Sequence, residues 1–483
     1  MIQKQKIIEL TILVAILAFA FYIAYIPHLD YPYPIHIDEW EHYGISQALL
    51  EKDGLGFVDP FFGERIIEDH HEVGYHLFLS QFRLFTGLSW LDIFRFLPAF
   101  VFVFTAFTAY IFGRRSNFGL EAAFFVALIP TTLRILGPSF LVPVTLGISL
   151  LPLLLFLLHY FDIGVVKVLP FLLFLSFLFL MHPPTGAAAS MIAVIYAVML
   201  ALAKRKEVGW WRSPTLILAA ALLSSLTIML RYYPDVAQRM VTIGEAGSYN
   251  LPLVYGAFEK FGYVPLALFL LGIFFLAMRW KARDWSLVLS SVAFIGILLL
   301  FTQAYIGVSI MYDRAWMYLF LLMGIIAAFA TREIYQRVHK YISRYIRKAP
   351  LLAVVLVLAL MAASAFIGVK NRLEEPYYHI VSDSVYSDLV WIRENLDDSY
   401  QRAVVDPAIA IAFAPLSGKF IYASSTATQI ILGKVLEVEE FFSEGGIDTE
   451  WLREKQIDII YSQKLIENPD LEEVAEHIYI LKR

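Results

Sequence analysis

Cysteine is absent from all 483 residues, so disulfides and thiolate metal sites are excluded, while the redox compartment stays open. Charge is scarce too. Only 17% of residues are charged, against about 25% in an average soluble domain. No repeat of fixed period and no low-complexity segment occurs, which speaks against a solenoid or a linker-rich chain. The net charge of −5 is the small remainder of 38 basic and 43 acidic residues and gives no reason to expect a nucleic-acid partner. What the chain has instead is apolar sequence: 59% hydrophobic residues, 16% aromatic, and a mean hydropathy of +0.66.

A helix needs about 20 apolar residues to cross the hydrocarbon core. The runs 7–27, 92–113, 118–136, 139–160, 164–181, 185–203, 213–230, 254–278, 285–301, 314–331 and 350–369 give about eleven spans. Residues 74–90 are amphipathic and read as an interfacial helix. Lys4 and Lys6, Arg114-Arg115, Lys167, Lys204 to Arg212, Arg279 to Arg283 and the stretch 332–348 fall in alternate loops. The excess of basic residues marks those loops, and the N-terminus, as cytoplasmic. The first apolar run has no small-residue cleavage site before His28, so it reads as a retained helix. The expected architecture is a polytopic α-helical membrane protein of the plasma membrane. Residues 1–369 form its membrane domain, with a first outer loop at 28–91, and 370–483 a small extracytoplasmic α/β domain. In that tail, 385–396, 426–442 and 449–455 read as helices, and 403–405, 420–422, 457–461 and 478–481 as strands of a partly parallel sheet.

The chemistry is concentrated in the first outer loop. From His28 to Val73 it holds eleven acidic residues and five of the chain's eleven histidines. Asp38-Glu39 stands directly after the first span, where carboxylates at a membrane are seldom placed without a use. Tyr43, Gln47 and Leu50 follow at helical spacing, which puts the pair at a helix N-terminus. The pair suits a general base or the charge partner of a nucleophile; a solvated topology signal is the plainer alternative, which the small weight of acids in topology counts against. Glu68-Asp69-His70-His71-Glu72 has the donors for a divalent cation, for orienting an acceptor hydroxyl, or simply for hydration. His182, at an outer helix end, either caps carbonyls or lines a site. Arg314 with Asp313 beside it, Arg231 with Tyr232, and Arg134 all fall at outer helix ends. There, arginine either snorkels to the headgroups or holds a phosphate through paired N–H groups.

These motifs carry a resemblance. Asp38-Glu39 with Tyr43 behind it, His70-His71-Glu72-Val73-Gly74-Tyr75-His76, Thr86-Gly87-Leu88-Ser89 with Arg95, Arg114-Arg115, and in the tail Trp391-Ile392-Arg393-Glu394-Asn395, Val404-Val405-Asp406-Pro407 and Ile457-Asp458-Ile459-Ile460 run in order along most of the chain. Together they resemble the GT-C superfamily of polytopic membrane glycosyltransferases, in particular archaeal and bacterial members related to protein O-mannosyltransferases. The resemblance implies inverting transfer of a sugar from a polyprenyl- or dolichyl-phosphate donor to a hydroxyl of a protein, lipid or glycan acceptor at the outer face of the bilayer. Asp38 would be the base and Glu39 its support, with Arg314, Arg231 and Arg134 binding the donor phosphate. His70, His71, Tyr75, His182, Tyr232 and Asp313 would position substrate. Whether a metal takes part stays open: a divalent cation (Mg or Mn) on Asp38 and His71 is one option, and none is the other. The chain departs from the oligosaccharyltransferase branch: its tail has no Trp-Trp-Asp motif, and residues 134–140 hold no acid. Both departures speak against transfer of a whole glycan to asparagine. Two rivals stand beside this reading. A transporter or flippase of lipid-linked sugars would need ionisable groups within the spans, where this chain has almost none. A non-catalytic scaffold leaves the acidic first loop without a task.

Overall fold

Apolar runs excluded from water have to satisfy their backbone internally, and the helix is how a single segment does so. The computed structural model describes all residues except Met1, 52–54, 69–71, 133–135, Asp162, 240–250, 305, 308, 343–348, 426–431 and Arg483. Among the described residues, seven helices are long and apolar enough to cross a membrane: Gln5–His28, Trp90–Arg114, Pro143–Tyr160, Pro183–Lys204, Ala282–Gln303, Met311–Tyr341 and Leu351–Leu373. Val165–Met181, Arg212–Leu226 and Tyr263–Ala277 are shorter apolar helices. The protein is thus a polytopic α-helical membrane protein with a small C-terminal sheet domain. The chain divides into two compact units, Met1–Leu29 with Phe96–Pro376, and Asp30–Arg95 with Tyr377–Arg483.

In the first unit the helix Ser309–Ile342 is buried at every residue from Ala315 to Thr331. Small residues let its neighbours approach closely. A Cβ added at Gly272 would lie 2.5 Å from the Ile326 carbonyl oxygen, and one at Gly324 3.1 Å from that of Phe125. Backbone cannot yield as a side-chain tip does, so Gly272→Ala is expected to destabilise the unit by about 1–3 kcal/mol. A thermal midpoint in detergent equal to wild type would refute this close helix crossing.

The run 118–136 behaves differently from the other apolar runs. Its helix covers only Gly119–Val126, and the chain then tightens through i→i+3 bonds from Leu128 to Phe125 and from Ile129 to Val126 before Pro130. Irregular backbone at this depth has to be satisfied by the protein itself. Arg372 does part of this. Its buried guanidinium donates to the Ile129 carbonyl and, at 2.7 Å, to the Ile23 carbonyl in the last turn of the first helix, and it lies over the Phe102 ring. The last candidate span accordingly runs on to Leu373.

The second unit joins the first loop to the tail. Strands β1 (Phe57–Val58) and β2 (Ile66–Ile67) pair antiparallel. The tail sheet contains β3 (Arg402–Val405), β4 (Phe420–Ile421), β5 (Ile459–Tyr461), β6 (Leu471–Ala475) and β7 (Ile478–Leu481), in the order β4-β3-β5-β7-β6. β3 is parallel to β4 and β5, and the β5–β7 and β7–β6 pairs are antiparallel. Three helices, Asp383–Asn395, Leu432–Ser443 and Thr449–Glu454, fall within the segments read as helical in the tail or within two residues of them, and residues 426–431 lie outside the described set. Val404, Val438, Leu452 and Ile460 belong to the core cluster of the sheet and two of those helices. The loop is fastened to the tail at several points. Ile421 N–H donates to the Phe61 carbonyl at 2.7 Å, and Glu64 meets Arg402 at 3.0 Å and Lys434 at 3.7 Å. The Tyr31 ring stacks on His379 at 4.1 Å, and its hydroxyl accepts the Val381 N–H. Tyr33 donates its hydroxyl to Asp383 at 2.8 Å.

Candidate active site

His36-Ile37-Asp38-Glu39 starts the helix Ile37–Leu50, and the start explains why two adjacent acids fare so differently. The first N–H groups of a helix have no partner within it. The Glu39 carboxylate turns back to accept the N–H of Ile35 at 2.9 Å and of His36 at 3.0 Å, and is wholly buried. His36 Nδ1 accepts the Asp38 N–H at 3.1 Å, which completes a capping box with histidine in the place usually held by Ser or Thr. Asp38 contributes its backbone N–H to this cap and keeps its carboxylate out of it. That side chain is 32% exposed, with Oδ1 3.7 Å from His36 Nδ1. Asp38 is therefore the member of the pair whose carboxylate stays accessible.

One turn further along the same helix, buried His42 pairs its Nδ1 with His76 Nε2 at 3.0 Å. His76 belongs to the helix Val73–Thr86, which is clamped again where Ser80 donates to the Ser46 carbonyl at 2.7 Å. Tyr75 is fully buried with its ring edge-on to His42 at 5.1 Å, and burial first, then the charges of Glu39 and Glu72, raises its phenol pKa. Tyr75 thus supports the helix pair from inside. His42 was not singled out from sequence, and His76 stood only within the motif that carries the resemblance, without a role; the signal for His42 was its i+4 spacing from Asp38.

The remaining candidates are placed as follows. In the first unit Asp313 and Arg314 lie half-buried near the start of the helix Ser309–Ile342, beside Tyr312, whose ring stacks on Phe301 at 4.7 Å. Arg314 Nε is buried and makes no hydrogen bond among the described residues. One turn on, Tyr318 OH and Thr185 Oγ1 are 2.9 Å apart, and Thr185 Oγ1 is 2.7 Å from His182 Nδ1, so His182 begins a buried polar chain between two helices. Arg231 and Tyr232 lie within the helix Arg212–Arg239. Arg134, His70 and His71 lie outside the described residues. Among the described residues, no three His, Asp or Glu side chains gather where they could hold a metal ion.

The helices, their order and the small C-terminal sheet share the fold of solved GT-C membrane glycosyltransferases. In particular, the chain is similar to AglB, the oligosaccharyltransferase of Archaeoglobus fulgidus, solved with an inhibitory peptide and a dolichol-phosphate (TM-score 0.63, 12% identity, 94% of this chain and 69% of that one). It is also similar to the mycobacterial arabinofuranosyltransferase AftD (0.59, 16%, 96% and 39%) and to ArnT of Cupriavidus metallidurans (0.57, 13%, 98% and 97%). No protein-family profile and no curated protein sequence matches the chain.

Proposed function

We propose that this protein is a glycosyltransferase of the plasma membrane. It moves a sugar from a polyprenyl-phosphate carrier to an acceptor hydroxyl at the outer face, with the N-terminus cytoplasmic and the C-terminal domain outside. The observation that carries this reading is the freed Asp38 carboxylate on a helix start locked by Glu39 and His36. A base needs a fixed direction and access, and the cap supplies the first without consuming the second. Asp38 accepts the proton of the acceptor hydroxyl as its oxygen bonds to the anomeric carbon. The bond from that carbon to the phosphate oxygen breaks on the opposite face, so configuration inverts, and the electron pair leaves with the polyprenyl phosphate. Arg314, Arg231 and Arg134 neutralise that leaving group. The supporting family likeness includes a neighbour bound to dolichol-phosphate.

The direct test supplies radiolabelled polyprenyl-phosphate sugars and candidate acceptors to membranes carrying the full chain. Label is expected to pass from lipid to acceptor, and Arg314→Gln is expected to slow transfer by roughly 10²–10³, as loss of a charge-stabilising donor does. If no such donor is consumed, the transferase reading fails. The transporter reading would then predict movement of intact lipid-linked sugar across vesicles.

A further inference from the structure

The second unit contains a cleft of about 480 Å3 lined by Tyr43, Gln47, Glu51, Arg83, Trp90, Tyr386 and Arg393, with Leu50, Ser89, Leu91 and Leu416 completing its wall. Its size falls in the range of small-ligand pockets, roughly 300–1,000 Å3. Two guanidiniums from different helices reach it. Arg83 lies over the Trp90 ring at 5.2 Å, and Arg393 makes no hydrogen bond or ion pair among the described residues. Gln47 donates its amide N–H to Glu51 at 3.1 Å, while its amide oxygen is buried and unpartnered. With two guanidiniums and one carboxylate, the lining carries one net positive charge.

The position of the cleft narrows the ligand. Trp90 and Leu91 are the first residues of the candidate span Trp90–Arg114, so the cleft lies at the level where that helix leaves the membrane. Next to Arg83 and Ser89, the side chains of Leu84, Phe85 and Leu88 are 62%, 83% and 43% exposed, an apolar edge at the end of the helix Val73–Thr86. Basic, aromatic and apolar side chains in this order fit a lipid headgroup with its tails alongside. We propose that the cleft binds the headgroup of an anionic glycerophospholipid with a hydroxylated substituent, of the phosphatidylglycerol kind. Arg83 and Arg393 hold the phosphodiester, and Gln47 and Glu51 accept from the substituent hydroxyls. The one net positive charge matches a single phosphodiester. Tyr43 and Gln47 belong to the Asp38 helix and Glu51 caps its C-terminal end, so an occupied cleft holds that helix from its far end.

The test does not depend on sugar transfer. The full-length protein is placed in nanodiscs of equimolar phosphatidylglycerol and phosphatidylcholine, released, and weighed by native mass spectrometry. Phosphatidylglycerol is expected to stay bound to wild type and equally to Asp38→Asn. Retention is expected to fall about thirtyfold in the Arg83→Gln, Arg393→Gln double variant, two surface contacts' worth. The single Arg393→Gln variant, whose exposed side chain bears no fold-holding bond, is expected to lose about fivefold. Equal retention of phosphatidylcholine, or undiminished retention in both variants, overturns the proposal. So does displacement of the lipid by an equal concentration of free glycerol phosphate, which would assign the cleft to a water-soluble ligand.

Discussion

Asp38→Asn is expected to lower the rate of sugar transfer by about 10²–10⁴, the usual contribution of a positioned general base, with donor KM and thermal midpoint unchanged. The replacement keeps the shape of the side chain and the backbone N–H that His36 accepts, so the cap survives. What it removes is the proton acceptor and the negative charge 3.7 Å from His36. Turnover of radiolabelled polyprenyl-phosphate sugar by purified wild type and variant, with melting curves of both, measures this. Wild-type turnover in Asp38→Asn would sink the assignment, and a fall in rate matched by a fall in melting midpoint would make Asp38 a structural residue.

Glu39 is expected to show the opposite pattern. Glu39→Ala strands the buried N–H groups of Ile35 and His36, at about 1–3 kcal/mol for each donor left unsatisfied. The second unit should therefore melt earlier and be cut sooner by protease, by about 3 kcal/mol in total if the two costs are only partly additive. Glu39→Gln keeps an amide oxygen able to take both bonds, so it should restore stability and most of the transfer rate. Loss of transfer in a stably folded Glu39→Gln protein would show that this carboxylate enters the chemistry itself. The two neighbours can thus be separated by experiment: one moves rate alone, the other stability first.

The membrane helices, the partly parallel tail sheet and the helix start at Asp38-Glu39 were legible in the sequence because each leaves a local pattern. Apolar length marks the spans, alternation of short strands and helices marks the sheet, and two acids beside a span stand out against their surroundings. The resemblance implied a base and its support, but the capping that sets the two side chains apart was not legible. It depends on a histidine acting as cap, a residue outside the usual Ser, Thr, Asp and Asn. The strand β6 was missed because Leu471-Glu472-Glu473-Val474-Ala475 carries the charges of an exposed edge. The helix Ala410–Ser417 was missed because it is buried throughout and contains Pro415, so it shows neither an amphipathic face nor a clean run. Arg372 fell in the tail by the boundary drawn between 369 and 370. Only the folded chain shows which carbonyls it meets.

Arg372 also sets an order on how the protein is made. A ribosome releases the first helix and the irregular turn after Val126 long before it reaches codon 372. During that interval the Ile23 and Ile129 carbonyls lack the donor that later joins them. The first helix can enter the bilayer early, but its final seat waits for nearly the last residue of the last membrane helix. Ribosome-bound chains shorter than this are committed to the membrane without being committed to the fold.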